Sequence, residues 1–201
     1  MNIRSLPWSA LQRSLSEAAA CRRGIAAVEF AMVLPIMALL FFGMLEASDL
    51  LTVKRRLANA SNSLVDLIAQ EPSITVAQLD DSVIGVTRLL EPTDTSTLSI
   101  RVVSLVRGPN PGDPATVHWS RDENGATPYA AGSVYAGLDD DETINSNASM
   151  LVVEFDYDYN SGLSGRVFTT PFNFAQKAKR WPRKSTRVQL CQTSDPATCT
   201  S

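Results

Sequence analysis

One apolar segment dominates the N-terminal third of the chain. From Ile25 to Leu45 only one residue, Glu29, is charged. A helix of about 20 residues, rising 1.5 Å per residue, crosses a hydrocarbon core of about 30 Å. The segment 25–45 therefore predicts a transmembrane helix. Pro35 lies inside it and is compatible with this prediction, because spanning helices tolerate proline.

A helical pattern continues beyond the apolar segment. We expect a stalk helix over residues 46–70 that continues the anchor, since Pro72 disfavours helix at the residue before it. Intramolecular packing is the preferred use of its apolar stripe, which consists of Val53, Leu57, Ala60, Leu64 and Ile68. A cap at Thr75 and apolar residues at helical spacing predict a second helix that ends at Pro92.

The remaining pattern is typical of strands and loops. Thr97 to Arg107 and Met150 to Tyr159 alternate and predict strands, and Val117 to Trp119 predicts a shorter one. Ser120 to Ala148 predicts polar loops, and Thr186 to Cys191 could add an edge strand. We therefore expect an α+β fold, with a long N-terminal transmembrane and stalk helix followed by a small domain of one or two helices on a mostly antiparallel sheet.

Charges flanking the apolar segment predict its orientation. Arg4, Arg13, Arg22 and Arg23 precede it against a single acid, Glu17. The positive-inside rule keeps such a flank in the cytoplasm. We expect residues 1–24 to form a cytoplasmic leader and residues 71–201 an exported α+β domain. A cleaved secretory signal peptide is the main competitor, but its apolar core usually covers only about 7 to 15 residues.

Composition narrows the choice of partners and compartment. Lys+Arg 18 against Asp+Glu 21 gives a net charge of −3, so we expect no nucleic-acid partner. Cys21 precedes the apolar segment, whereas Cys191 and Cys199 lie close together near the other end. In an oxidising compartment these two can form a disulfide. The alternative is two unpaired thiols in a frayed tail.

Glu29 is the most informative single residue. A carboxylate inside a spanning helix costs on the order of 2 to 3 kcal/mol to insert and needs a partner. Cleavage after Gly24 would make Ile25 a new N-terminus and supply a free α-amine. In the alternative, the segment is an uncleaved signal anchor whose Glu29 reaches the membrane interface.

These residues also resemble a known family. Basic residues, a glycine, four small or apolar residues, an acid, an aromatic residue and an apolar run form the processing pattern of type IV prepilins. The stretch RGIAAVEFAMVLP, residues 23–35, resembles the N-terminal signature of the TadE/TadG-like proteins of Tad (tight adherence, Flp) pilus assembly. The resemblance implies that a prepilin peptidase cuts between Gly24 and Ile25.

The resemblance further implies a role and a location. Glu29 would pair with the amine of a neighbouring subunit, with Phe30 and Pro35 in the packing surface between helices. The chain would be a minor pilin or pseudopilin of the bacterial inner membrane, with a periplasmic domain. Its partners would be the prepilin peptidase, other Tad pilins or pseudopilins and the assembly platform. It would either enter an adhesive surface pilus or stay in the membrane.

Catalytic and metal-binding patterns are weak throughout. His118 is the only histidine, and no nucleophile, zinc, P-loop or dinucleotide motif accompanies it, so we expect no enzyme, cofactor or metal site. Asp156 and Asp158 share one face of a strand and could do acid/base work on a polysaccharide, although alternating acids usually mark a solvent face. An acidic cluster could bind calcium or form a solvated loop, and consists of Asp139, Asp140, Asp141 and Glu142. An uncleaved single-pass periplasmic scaffold or binding protein is the alternative function.

Overall fold

The computed structural model describes residues 22–110, 112–138, 144–159 and 172–200, without the side chains of Arg22 and Arg23. The chain divides into residues 1–48, called unit 1, and residues 49–201, called unit 2. The predictions made for the leader up to Cys21 and for the acidic cluster 139–142 lie outside the described residues.

Helix α1, Arg22–Ala69, ends one residue before the predicted end of the stalk. In unit 1 its large apolar side chains between Ile25 and Leu45 are 47% to 73% exposed. The helix from Gly24 is long and apolar enough to cross a membrane. A helix that is apolar on all sides and exposed in an isolated chain indicates a membrane anchor.

In unit 2 the second part of α1 packs against the rest of the domain. The predicted apolar stripe is confirmed as buried, with Leu64 and Ile68 at 0% exposure. Helix α2, Val76–Arg88, follows the short strand β1, Ser73–Thr75. The side chain of Thr75 accepts a hydrogen bond from the backbone N of Gln78, whose own side chain accepts one from the backbone N of Thr75, so both free donors are satisfied.

Four strands form an antiparallel sheet in the order β3-β2-β4-β5. The strands are β2, Leu98–Arg107, β3, Ala115–Asp122, β4, Ser149–Tyr159, and β5, Phe172–Arg180. The predicted α+β class with one long helix and a mostly antiparallel sheet is therefore confirmed. Strand β5 was missed because its sequence, FNFAQKAKR, is rich in residues that are uncommon in strands.

The predicted edge strand over Thr186 to Cys191 is shorter than expected, and it does not join the four-stranded sheet. Strand β6, Gln189–Cys191, pairs in parallel with β1 in a separate two-stranded sheet. A 3₁₀ turn, Pro196–Thr198, follows it. This small sheet joins the end of α1 to the C-terminal residues of unit 2.

Both faces of the four-stranded sheet are covered. One face packs against α1 and α2 through residues such as Phe155 and Val153. The other face is covered by residues that include Tyr135 and Ile144 from the predicted polar loop. The solvent-face interpretation given for Asp156 and Asp158 therefore does not extend to Glu154, which lies on the same face of β4 and is 3% exposed.

A β-bulge shapes strand β3, which is longer than the predicted Val117 to Trp119. Ser104 pairs with Trp119 and the next residue, Leu105, pairs with Val117, so His118 is the extra residue. The bulge lets Trp119 pack with the helices while Val117 packs on the opposite face. Without it, these two side chains would point to the same face.

Candidate functional site

The predicted processing and packing residues all lie on α1 in unit 1. Gly24 is helical, and a Cβ added there would meet nothing within 4 Å. Ile25 and Glu29 are four residues apart and therefore lie on the same face of the helix. The side chains of Glu29 and Phe30 are exposed, the latter at 60%. The surface of this segment is thus available to lipid or to another chain.

The chain offers Glu29 no basic residue within the apolar segment. The first Lys, Arg or His after Gly24 in the sequence is Lys54, beyond the end of unit 1. A carboxylate in a low-dielectric environment requires a compensating charge or hydrogen bonds. The residues between Glu29 and Val53 provide no cation, so a positive charge that approaches Glu29 from that side belongs to another molecule or to the membrane interface.

Unit 2 contains a buried carboxylate centre that the sequence reasoning missed. Glu154 on β4 lies directly opposite Arg101 on β2 and Lys177 on β5. The Nε of Arg101 donates to Glu154 Oε2 at 2.9 Å, and the Nζ of Lys177 lies 3.5 Å from Oε1. Directly opposite charges of unlike sign stabilise neighbouring strands.

Two tyrosines complete the centre from the covering segment. The hydroxyl of Tyr129 donates to Glu154 Oε2 at 2.8 Å, and that of Tyr135 donates to Oε1. The two rings meet edge to face, with centroids 5.4 Å apart. Lys177 also donates to the carbonyl oxygen of Gly137 at 3.0 Å. Hydrogen bonds of the centre therefore connect residues 129–137 to strands β4 and β5.

The hydrogen bonds determine the ionisation of the centre. Burial raises the pKa of Glu154, but hydrogen bonds from Tyr135, Tyr129 and Arg101 together hold that pKa below its usual value. Burial and the hydrogen bond to Glu154 raise the pKa of Tyr129 to about 12, and the same causes raise the pKa of Tyr135. At neutral pH the centre holds one carboxylate and two neutral phenols.

The three acids of β4 are all engaged with neighbouring residues. Both oxygens of Glu154 already accept hydrogen bonds, and the side chain is 4% exposed. Asp156 forms an ion pair with Arg101, and Asp158 accepts a hydrogen bond from Asn173 at 2.9 Å. These contacts between neighbouring strands suit a structural role for the three carboxylates.

Other polar contacts join the elements of unit 2. The guanidinium of Arg121 on β3 holds Asp80 on α2 through two hydrogen bonds of 2.9 Å, and the hydrogen bond to Asp80 raises the pKa of Arg121. Trp119 Nε1 donates to the carbonyl oxygen of Val188 at 2.8 Å. The structure joins Cys191 and Cys199, eight residues apart, in a disulfide. Because Cys191 ends β6, the disulfide ties the last residues to the small sheet.

Metal ligands are not grouped in the part of the chain that the structure describes. No set of three or more His, Cys, Asp or Glu side chains there is placed to hold a metal ion. His118 lies in the bulge of β3 beside Trp119. The predicted calcium question for residues 139–142 lies outside the described residues.

A signal for the buried centre was present in the sequence. Met150, Leu151, Val152 and Val153 form an unbroken apolar run directly before Glu154. Such a run is typical of a strand buried on both faces. An acid in the next position is therefore expected to be buried as well, and to need partners from adjacent strands.

Comparisons with known proteins bear on the N-terminal segment. Residues 24–63 match the family model described as TadE-like protein. The match covers the apolar segment and the first buried turns of α1 in unit 2. No curated protein and no solved structure matches the chain.

Proposed function

Since residues 24–63 are TadE-like, and that family consists of structural, Tad pilus-associated components, we propose that this chain is a minor pilin or pseudopilin of the Tad machinery. In this proposal α1 anchors the protein in the bacterial inner membrane, with the N-terminus cytoplasmic and the domain 71–201 periplasmic. A prepilin peptidase cuts between Gly24 and Ile25. One observation carries the proposal, namely a single acid, five residues after Gly24, on an exposed apolar helix inside the matched segment.

The proposed role of Glu29 follows from electrostatics. Cleavage makes the amine of Ile25 available at the end of the apolar helix, one turn from Glu29. An amine and a carboxylate neutralise each other in a low-dielectric environment when they are close. A neighbouring subunit shifted along the helix axis would place its amine beside Glu29, so subunit packing would satisfy both charges.

Processing is tested by mass spectrometry of the N-terminus of the membrane-bound chain, expressed with and without a prepilin peptidase. Loss of residues 1–24 lowers the mass by about 2.6 kDa, in proportion to 24 of 201 residues and 21.8 kDa. We expect the new N-terminus at Ile25, and we expect Gly24→Arg to keep its full mass. A catalytically inactive peptidase is the control. A chain that still begins with Met1 in the presence of the active enzyme contradicts the proposal.

Subunit packing is tested separately with two glutamates of α1. Glu29→Gln keeps the shape of the side chain and removes its charge, whereas Glu46→Gln makes the same change outside the apolar segment. We expect Glu29→Gln to reduce co-purification with other Tad pilins and the number of surface pili, and Glu46→Gln to leave both unchanged. An intact N-terminus together with indifference to Glu29→Gln would instead favour an uncleaved periplasmic scaffold or binding protein.

A further inference from the structure

An apolar groove opens in unit 2 between helix α2 and the beginning of strand β2. It has a volume of about 310 Å³, and its apolar walls come from Val83 and Ile84 of α2 and from Leu98 and Ile100 of β2. Ile84 is 52% exposed, although isoleucine is among the residue types most often buried. A volume at the lower end of the range for binding pockets suits one large side chain. We call this feature the α2–β2 groove.

Carboxylates lie beside the α2–β2 groove. Glu123 lines it, and Asp94 directly precedes another lining residue, Thr95. Glu123 accepts a backbone hydrogen bond from β2 at 2.8 Å, and Asp94 accepts one at 2.9 Å from the turn that follows it, so both carboxylates are held in place. Arg88 also lines the groove, and a guanidinium can lie over the face of an aromatic ring. The groove therefore suits an aromatic side chain that is accompanied by cations.

An exposed tryptophan among cations directly follows strand β5. The sequence RWPRK, residues 180–184, is called the tryptophan segment, and its Trp181 is 42% exposed. The side chains of Arg180 and Arg183 both form ion pairs with Asp66 of α1. The backbone N of Arg183 also donates to a carbonyl oxygen at the end of α1 at 2.9 Å. The tryptophan segment is thus fixed on unit 2, and tryptophan and arginine are the residue types that contribute most at protein interfaces.

The groove and the tryptophan segment lie at different places on unit 2. Across the sheet, Arg180 is level with Leu151 of β4, which is in turn level with Ser104 of β2. Leu98, which lines the groove, precedes Ser104 by six residues, or about 20 Å at 3.3 Å per residue. Trp181 therefore cannot fill the groove of its own chain. A surface that fits a different surface of the same molecule produces a heterologous contact, which can repeat from copy to copy.

We propose that Trp181 of one copy inserts into the α2–β2 groove of a second copy. The cations on either side of Trp181 then face Glu123 and Asp94. A second copy is the occupant because the chain itself supplies both halves of the contact, an aromatic side chain among cations and an apolar groove beside carboxylates. This inference goes beyond the proposed function and does not depend on cleavage after Gly24. Repetition of the contact would make the chain a filament subunit.

A photo-crosslinking phenylalanine analogue at position 181 tests the contact in the full chain, purified in detergent micelles. Half of the chains carry ¹⁵N, so that the mass of a linked peptide pair distinguishes links between copies from links within one copy. We expect a ladder of dimers and larger species, with the linked peptides from α2 or the beginning of β2. The analogue at position 172 is the matched control, because Phe172 is 44% exposed at the other end of β5.

The control should link to the groove at least about tenfold less than the probe at 181, since hot-spot contacts are confined to a few residues. No ladder, equal yields at the two positions, or links to another part of the chain overturn the proposal. Irradiation in native membranes adds a further outcome. Another protein captured at position 181 in place of a copy also overturns it.

Two variants separate the two halves of the contact. Ile84→Arg blocks the groove, so a chain with this change and the probe at 181 should form no links alone. Adding a chain with Trp181→Ala, whose groove is intact, should restore a dimer and nothing larger, because the mixture contains one usable half on each chain. A dimer that does not return, or a ladder that survives Ile84→Arg, contradicts the proposal.

Leu89→Arg is the matched control for the groove variant. Leu89 is 63% exposed directly after α2 and is not one of the described residues that line the groove. We expect the ladder to persist in this variant, and its loss would show that added charge and not the groove is responsible. The contact and the processing can fail separately. A ladder from a chain that still begins with Met1 supports the contact while cleavage fails, whereas a chain that begins at Ile25 without a ladder refutes the contact alone.

Discussion

Tyr135→Phe removes one hydroxyl from the buried carboxylate centre and leaves the ring in place. The hydroxyl donates to Glu154, and both side chains are almost fully buried, at 2% and 3% exposure. A hydrogen bond to a charged group contributes about 1.5 to 3 kcal/mol. Since water cannot replace this donor, we expect the free energy of unfolding to fall by about 2 to 3 kcal/mol.

Tyr129→Phe is the matched control because it removes a hydroxyl from the same carboxylate. Tyr129 is only partly buried, so water can take over part of its hydrogen bond. We expect a loss of about 1.5 kcal/mol, the lower end for hydrogen bonds to a charged group. Comparing the two losses of unfolding free energy therefore shows which oxygen of Glu154 is less accessible to water.

Urea unfolding of the full chain in detergent micelles measures both variants, with tryptophan fluorescence, to which the buried Trp119 contributes, as the signal. A double-mutant cycle adds Glu154→Gln, which removes the charge. If the hydroxyl of Tyr135 acts through that charge, Tyr135→Phe should lose at least about 1 kcal/mol of its effect in the Glu154→Gln background. An equal effect in both backgrounds, or a larger loss for Tyr129→Phe, refutes the reasoning.

Three further outcomes concern the stability of unit 2. The pKa of Glu154 in the folded chain is lowered from 4.5, so the stability that its carboxylate contributes is present above pH 4.5 and is lost as pH falls through the folded-state pKa. The pKa of Tyr129 is raised from 10.0 to about 12, so the free energy of unfolding falls as pH rises from about 10 to about 12. Urea midpoints across pH should show both losses, and Tyr129→Phe should weaken the alkaline one. Gly137→Ala should destabilise by about 1 to 3 kcal/mol in the same assay, because its Cβ would overlap the ring of Tyr135. Arg121→Gln breaks an ion pair with a half-exposed aspartate and should cost no more than about 1 kcal/mol.

The helices could be predicted because their signals are local. The apolar segment, the stripe that includes Leu57 and Leu64, and the cap at Thr75 depend on neighbouring residues and match the observed elements. The buried centre could not be assembled in this way. Arg101 and Glu154 meet only after β2 and β4 pair, and Tyr135 approaches them from a segment whose composition predicts an exposed loop.

The strand errors have a similar origin. Strand β5 contains alanine, glutamine and lysine, and it forms because β4 offers it a complete edge over residues 151–159. The bulge at His118 changes which face Trp119 occupies, and alternation along one strand carries no sign of it. Tertiary pairing thus decided what local preference left undetermined.

Glu154 and Glu29 present the same physical problem with different solutions. A carboxylate removed from water must gain a cation or several hydrogen-bond donors, because an unpaired buried charge costs several kcal/mol. The fold supplies Glu154 with Arg101, Lys177 and two phenols. From Gly24 to Val53 the sequence contains no Lys, Arg or His that could do the same for Glu29. The charges of the described domain are thus satisfied internally, whereas the proposed partner of Glu29 is another subunit. If that proposal holds, the effect of Glu29→Gln should appear in assembly and not in the stability of unit 2.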